Sequence, residues 1–371
     1  MTVLHVSGAR SWGGNEQQLI YLIDELKKQG VEQKIFCFNN TPLHEEVKKY
    51  DIAVLSTDTL KPHSLEYLKF LNSIIKEHKI DIIHLHSSDS VTGYVLTDLF
   101  YSLKTPTLFA RKGIRRKTGL FSRLKYNYKN IDKILCISKY VERHFSEILK
   151  KENQKKLVTV YNGVKIENIP QETEFQIREK LKLEEGTFLI GNIANHTNAK
   201  DLPVLIDTLD ILVHKFNIRN VHIVQIGQFS KLTPVLKEKI KKLDLQAHIT
   251  LMGFVKNASA YHSQFDVFIM TSEREGGPSS VIEAFYKKTP VISTKVGVVD
   301  EVIKDGHNGF TAEVKDPEKL AEKLYKFINN PELAEKFRER SYNIFLEKFT
   351  AEQLGKNTLK VYQDLLANTR R

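Results

Sequence analysis

The chain is poor in cysteine, with only Cys37 and Cys136 among 371 residues. Each lies in an apolar, strand-like run, so both read as reduced core thiols in a cytoplasmic protein rather than as a disulfide framework. No run approaches the roughly 18 apolar residues that suggest a membrane-crossing helix. The N-terminal MTVLHVSGARSWGG has no basic leader and only a strand-length apolar segment, so it reads as the start of a domain and not as a signal peptide. No two aspartates stand two apart, which removes the D-x-D type of metal site. His84 and His86 share one face of a strand, but the sequence brings them no third ligand, so no metal site is predicted. There is no fixed-period repeat, no low-complexity tract and no RNA- or DNA-binding signature.

What remains is an ordinary globular composition, 41% hydrophobic and 27% charged, with enough length for two domains. The net charge of +11 is not evenly spread. Residues 1–110 sum to −2, whereas residues 111–130, RKGIRRKTGLFSRLKYNYKN, hold eight basic residues and no acidic one. Such a segment is either a solvated face or a docking surface for something anionic. Phe121, Leu124, Tyr126 and Tyr128 interleave with the charges, a pattern suited to an anionic membrane surface. Nucleic acid is the less favoured partner.

Short apolar strands alternate with amphipathic helices. The first half offers strands at Val3–Ser7, Lys34–Phe38, Ile52–Leu55, Ile82–His86, Thr107–Ala110, Lys133–Ile137 and Val158–Tyr161. The second offers Phe188–Ile193, His222–Ile226, Ile249–Met252, Val267–Met270 and Val291–Ser293, with helices over Leu202–Val213 and Pro278–Tyr286. This alternation predicts an α/β chain of two Rossmann-like, doubly wound parallel sheets. The polar stretch IENIPQETE at 166–174 reads as the linker between domains, placed at 1–165 and 172–350. A long amphipathic helix over Ala351–Leu366 follows.

Ten residues carry the strongest chemical signal: Glu275-Gly276-Gly277-Pro278-Ser279-Ser280-Val281-Ile282-Glu283-Ala284. Proline suits the first turn of a helix. The stretch therefore reads as a glycine loop feeding a helix whose free N–H groups and dipole favour an anionic ligand. Glu283 falls in an apolar run, where a carboxylate is costly without partners. A sugar or ribose diol supplies two hydroxyl donors to such a pure acceptor. Two further loops follow first strands. Gly13-Gly14-Asn15-Glu16 offers backbone N–H groups for a phosphate or is a plain turn; its spacing is not G-x-G-x-x-G. Asn195 through Lys200 places a lysine where it either meets a diphosphate or is an exposed helix-start residue.

Taken together, these segments resemble the retaining glycosyltransferases of family 4, which have the GT-B fold of two Rossmann-like domains facing a cleft. Glu275 and Glu283 match that family's E-x7-E motif, and Gly13-Gly14-Asn15-Glu16 its GGxE loop. Ala194 to Lys200 resembles its donor-phosphate segment. Pro290 to Thr294, Gly297 and Asp305 to Phe310 resemble the strand and turns that follow the motif. The resemblance spans nearly the whole chain.

It implies a nucleotide-sugar donor, UDP- or GDP-linked, in the second domain. Glu283 would hold the ribose hydroxyls, and Lys200 would neutralise the departing diphosphate. Glu275, with the backbone of Gly276, Gly277, Pro278 and Ser279, would face the donor sugar. Asn195 would stand near the phosphates with Gly13 and Gly14. Gly253, Phe254 and Val255 would frame the base. The acceptor, a lipid-linked or cell-envelope glycan, would dock on the first domain near His86, Arg111 and Lys112. Arg115, Arg116, Lys117, Arg123 and Lys125 would engage the membrane. The C-terminal helix 351–371 would pack back on the first domain. No cofactor or metal is implied, and the enzyme would work at the inner face of the cytoplasmic membrane.

Two departures stand out. Family members often carry Arg where Asn195 stands, and many place a histidine where this chain reads Leu108-Phe109-Ala110-Arg111-Lys112. Arg111 cannot serve as a base, so the role of that histidine is not carried over. The other readings are a sugar-nucleotide epimerase of the same fold and a non-enzymatic binder of anionic polymers.

Overall fold

The computed structural model describes residues 1–58, 61–113, 119–275, 277 and 279–369. It divides into two units, Met1–Lys165 with Thr350–Arg371, and Ile166–Phe349. In the first, seven strands form one parallel sheet. They are β1 (Thr2–Val6), β2 (Glu32–Phe38), β3 (Ala53–Thr57), β4 (Ile82–Leu85), β5 (Thr107–Arg111), β6 (Lys133–Cys136) and β7 (Leu157–Thr159). Their order is β3-β2-β1-β4-β5-β6-β7. The second unit holds β8 (Phe188–Ile193), β9 (Val221–Ile226), β10 (Ile249–Gly253), β11 (Val267–Met270), β12 (Val291–Thr294) and β13 (Phe310–Ala312). Their order is β10-β9-β8-β11-β12-β13.

Both sheets are buried on both faces, because successive side chains of a strand point to opposite sides. In the first unit Val3, Ile82, Leu108 and Leu135 meet Leu22 and Leu26 of the helix Gly14–Lys28. The helix Ala351–Thr369 adds Leu354, Val361, Tyr362 and Leu365 to this cluster. Each fully buried apolar side chain contributes roughly 1.5–3 kcal/mol, so these contacts hold the C-terminal helix to the first sheet. The opposite face sets Leu4, Ile83, Phe109 and Ile134 against Tyr67, Leu71 and Tyr94. In the second unit Ile190, Ile223 and Ile269 pack with Leu205, Leu209 and Leu324, while Leu189 and Val224 face Tyr261 and Phe265.

The order reverses between β1 and β4, and again between β8 and β11. Ligands of such sheets gather at the carboxyl ends of the strands beside that reversal.

The structure differs from the sequence reading at β13 and in the helix that starts at Leu202. β13 runs through Phe310, which the sequence placed in a turn. The helix begun at Leu202 ends at Asp210 and continues as a π-helical turn, Ile211–Lys215. The helix of the Glu275–Glu283 stretch is described from Ser279 to Tyr286; Gly276 and Pro278 lie outside the described residues.

Candidate functional site

At the β8/β11 reversal a cavity of about 300 Å³ opens. The loop after β8 supplies Ala194, Asn195 and Lys200, and the loop after β11 supplies Glu275 and Gly277. Ser279, Ser280 and Glu283 come from the following helix. Gly227 closes the end of β9, and Phe254 and Val255 follow β10. Residues from four strand ends and one helix thus meet around one space.

The two principal loops are tied together by their backbones. Glu273 N donates to Ala199 O at 2.9 Å. Thr271 Oγ1 donates to Lys200 O at 3.1 Å, and Thr294 Oγ1 to Ser272 O at 2.7 Å. Asp201 takes a left-handed conformation, φ 46°, at the turn from the Lys200 loop into the helix Leu202–Asp210. His196 lies buried beneath, one ring nitrogen 2.8 Å from Thr233 Oγ1 and the other 2.8 Å from Gln225 Oε1. The Gln225 amide donates to Ala194 O at 2.7 Å, so the loop rests on a polar post. Asn195 Oδ1 accepts from Gln228 N at 2.8 Å. Gly227 is obligatory here: a Cβ on it would stand 1.9 Å from Ala194 O. Gly253 has φ +76°, in the region that favours glycine.

Three charged side chains line the cavity. Lys200 Nζ pairs with Glu275 Oε1, and Ser272 Oγ donates to the same carboxylate oxygen at 3.1 Å. Glu283 is different. Among the described residues nothing hydrogen-bonds to its carboxylate, and burial pushes that carboxyl up to about 7. A carboxylate held there without a protein donor is satisfied by hydroxyls arriving from the cavity. The site therefore offers one cation for an anion, one unpartnered acceptor for a diol, and a helix start between them.

In the first unit, Gly13 caps the helix Gly14–Lys28 in extended conformation. His86 is 7% exposed and Arg111 is 8% exposed. The Arg111 guanidinium lies over the rings of Phe145, at 4.8 Å, and Tyr126, at 5.7 Å. Arg111, expected beside the acceptor, is thus held among aromatic rings of the first unit. Lys112 donates to Asn15 O at 2.8 Å, and burial lowers its ammonium to about 8. Lys125 is also anchored, donating to Ser88 O at 2.9 Å and Thr92 Oγ1 at 2.9 Å. Tyr126 is buried, and Tyr128 donates to Asp98. Phe121, Leu124 and Arg123 remain exposed on the helix Leu120–Tyr126. Arg115, Arg116 and Lys117 lie outside the described residues.

Sequence reasoning missed His5, which stands beside His84 across β1 and β4, and Tyr362, whose hydroxyl is 2.7 Å from His84 Nδ1. Gly227 and Ser272 were missed as well. Only Gly227 left a signal, a glycine directly after a buried strand.

The two doubly wound parallel sheets, one in each unit, are the fold of the GT-B glycosyltransferases. Residues 12–168 match the family described as Glycosyltransferase Family 4, and residues 173–344 match Glycosyl transferases group 1. The chain belongs to glycosyltransferase family 4. It is similar to an uncharacterised glycosyltransferase of Methanocaldococcus jannaschii, 27% identical over 95% of both chains. It is also similar to a capsular polysaccharide biosynthesis glycosyltransferase of Staphylococcus aureus, 24% identical over 93% of both. In fold it is similar to Anabaena HepE in complex with UDP and glucose, with TM-score 0.76 and 16% identity, covering 98% of this chain and 100% of that one.

Proposed function

We propose that the protein is a retaining glycosyltransferase that moves a sugar from a UDP- or GDP-sugar to a lipid-linked or cell-envelope glycan. The observation that carries the donor site is Glu283, a carboxylate facing the cavity with no described partner. Ribose hydroxyls are suited to it. Phe254 and Val255, beside the left-handed Gly253, form the wall on which a base rests. Lys200 offers the ammonium for the diphosphate.

The acceptor hydroxyl oxygen forms a bond to the anomeric carbon on the face from which the diphosphate departs. The bond from that carbon to the phosphate oxygen breaks, and the phosphate oxygen takes the hydroxyl proton. No protein nucleophile is needed. The leaving group requires positive charge, which Lys200 and the backbone N–H groups near Gly277 and Ser279 supply. The reaction is therefore proposed to need no metal and no cofactor. Asn195 adds no charge, so Lys200 bears more of that task here.

The cell-envelope acceptor is supported by the capsular relative. Contact with the inner face of the cytoplasmic membrane is supported by the helix Leu120–Tyr126, where Leu120, Phe121 and Leu124 are 72%, 87% and 60% exposed. No helix among the described residues is long and apolar enough to cross a membrane.

Thermal denaturation with UDP, GDP, ADP and their sugars tests the donor reading, because a ligand bound only by the folded state raises its stability. One nucleotide class is expected to raise the midpoint in the native chain and not in Glu283→Ala. Equal response of the two chains would sink the site.

A further inference from the structure

β1 and β4 are neighbours in parallel register, with His5 opposite His84 and His86 two residues further on. All three rings lie on the sheet face covered by the helices Gly14–Lys28 and Ala351–Thr369. One ring nitrogen from each lies within 4.8 Å of the other two, and the residues are 0%, 1% and 7% exposed. From these we propose that His5, His84 and His86 form a binding site for a divalent transition metal of the zinc class, distinct from the donor cavity.

The hydrogen bonds fix the ligand atoms. Gln33 Nε2 donates to Ile23 O at 2.9 Å, which turns Gln33 Oε1 toward His5 Nε2, 3.0 Å away. His5 therefore carries its proton on Nε2 and presents a lone pair at Nδ1. His84 Nδ1 stands 2.7 Å from the Tyr362 hydroxyl. With the proton on Nδ1, His84 presents its lone pair at Nε2, a buried atom without a hydrogen-bond partner among the described residues. His86 Nε2 is 3.0 Å from His5 Nδ1, close to the roughly 3.3 Å between two nitrogens on one tetrahedral zinc. The ion takes the place of the proton shared by these rings, and that proton moves to His86 Nδ1, which is buried and has no hydrogen-bond partner among the described residues. Gln33 and Tyr362 are the outer partners that commonly orient ligating histidines.

A small cavity lies beside the rings, lined by His84, His86, Lys112 and Thr358 among others. Thr358 Oγ1 is also buried without a hydrogen-bond partner among the described residues. Among the described residues, three of the buried side-chain atoms without a hydrogen-bond partner thus belong to residues lining one space, a concentration that calls for a ligand. A fourth ligand, a water or hydroxide, fits toward Thr358. Lys112 opposes the ion through its charge, so affinity is set by neutral imidazoles working against one ammonium. The ion would be structural, joining β1 to β4 and, through Tyr362, to the C-terminal helix.

The test uses the full chain after dialysis against a chelator. Cobalt(II) is titrated while visible absorption is followed, and zinc is then added with the melting midpoint recorded. One equivalent of cobalt with the intense visible bands of a tetrahedral site is expected, displaced by zinc, with zinc raising the midpoint. Both signals should vanish in His5→Gln and in His84→Gln. Lys112→Met should tighten binding several-fold, because a like charge is removed. Absence of bands in the native chain, or bands retained in both histidine variants, would overturn the site. Should the histidine variants fail to fold, unchanged affinity in Lys112→Met would overturn it.

Discussion

Lys200 and Glu275 stand 75 residues apart and form an ion pair at the β8/β11 reversal. Their side chains are 26% and 15% exposed, so the pair is neither a surface ornament nor fully desolvated. In the proposed reaction Lys200 is held by Glu275 until a diphosphate offers it a second anionic partner. Lys200→Ala should lower sugar transfer about a hundredfold or more, about 3 kcal/mol of lost transition-state contact. Glu275→Ala should do likewise. Radiolabelled sugar transfer checks both, with circular dichroism to confirm folding. Full activity in either folded variant refutes the assignment.

Glu283 makes a pH prediction. Its carboxyl is raised to about 7 by burial, so the folded chain binds its proton more tightly than the unfolded chain does. Stability attributable to this residue is therefore highest below the ordinary carboxylate range and falls as pH rises toward 7. Donor hydroxyls need the ionised form. Nucleotide affinity should therefore rise between pH 6 and pH 8, about a pH unit to either side of that midpoint, with proton release on binding. Calorimetry in two buffers of different ionisation heat checks this. Glu283→Gln should bind weakly and lose the pH dependence; an unaltered profile would assign the titration elsewhere.

Gly227→Ala should disturb the cavity from below. The new methyl would meet Ala194 O at 1.9 Å, and backbone cannot yield as a flexible side chain does. A loss of about 1–3 kcal/mol is expected from such overpacking, with weakened nucleotide binding since Ala194 and Asn195 move. Urea denaturation and the thermal nucleotide response measure the two effects.

The strands were legible because their apolar runs are short, separated and buried on both faces, as at Val267–Met270. Phe310 was not, because Asp305-Gly306 next to it signals a turn and β13 is only three residues long. Glu275 and Glu283 stood out by their spacing and Lys200 by the family resemblance, and the three line one cavity. The burial of Arg111 was not legible, because charge in sequence says nothing of Phe145, whose ring lies under it from 34 positions away. The three-histidine cluster was hidden for a similar reason: its third member comes from β1, and only strand order brings it beside β4. Periodicity reports which face a residue takes, not which strand lies next to it.

The membrane prediction concerns the helix Leu120–Tyr126. Its buried anchor is Tyr126, stacked on Phe109 with centroids 5.5 Å apart, while Lys125 is tied to Ser88 and Thr92. Among the described residues Leu120, Phe121 and Leu124 are left exposed. Neighbouring basic residues would each add about 1 kcal/mol near an anionic leaflet. Phe121→Ser with Leu124→Ser should therefore reduce flotation with vesicles containing phosphatidylglycerol, leaving the melting midpoint nearly unchanged. Reversing Arg115, Arg116, Lys117 and Arg123 to glutamate should abolish it, and raising salt should weaken native binding. Flotation that survives both sets of substitutions would exclude this segment as the membrane contact, whereas loss with the serine pair alone would assign the contact to the apolar face.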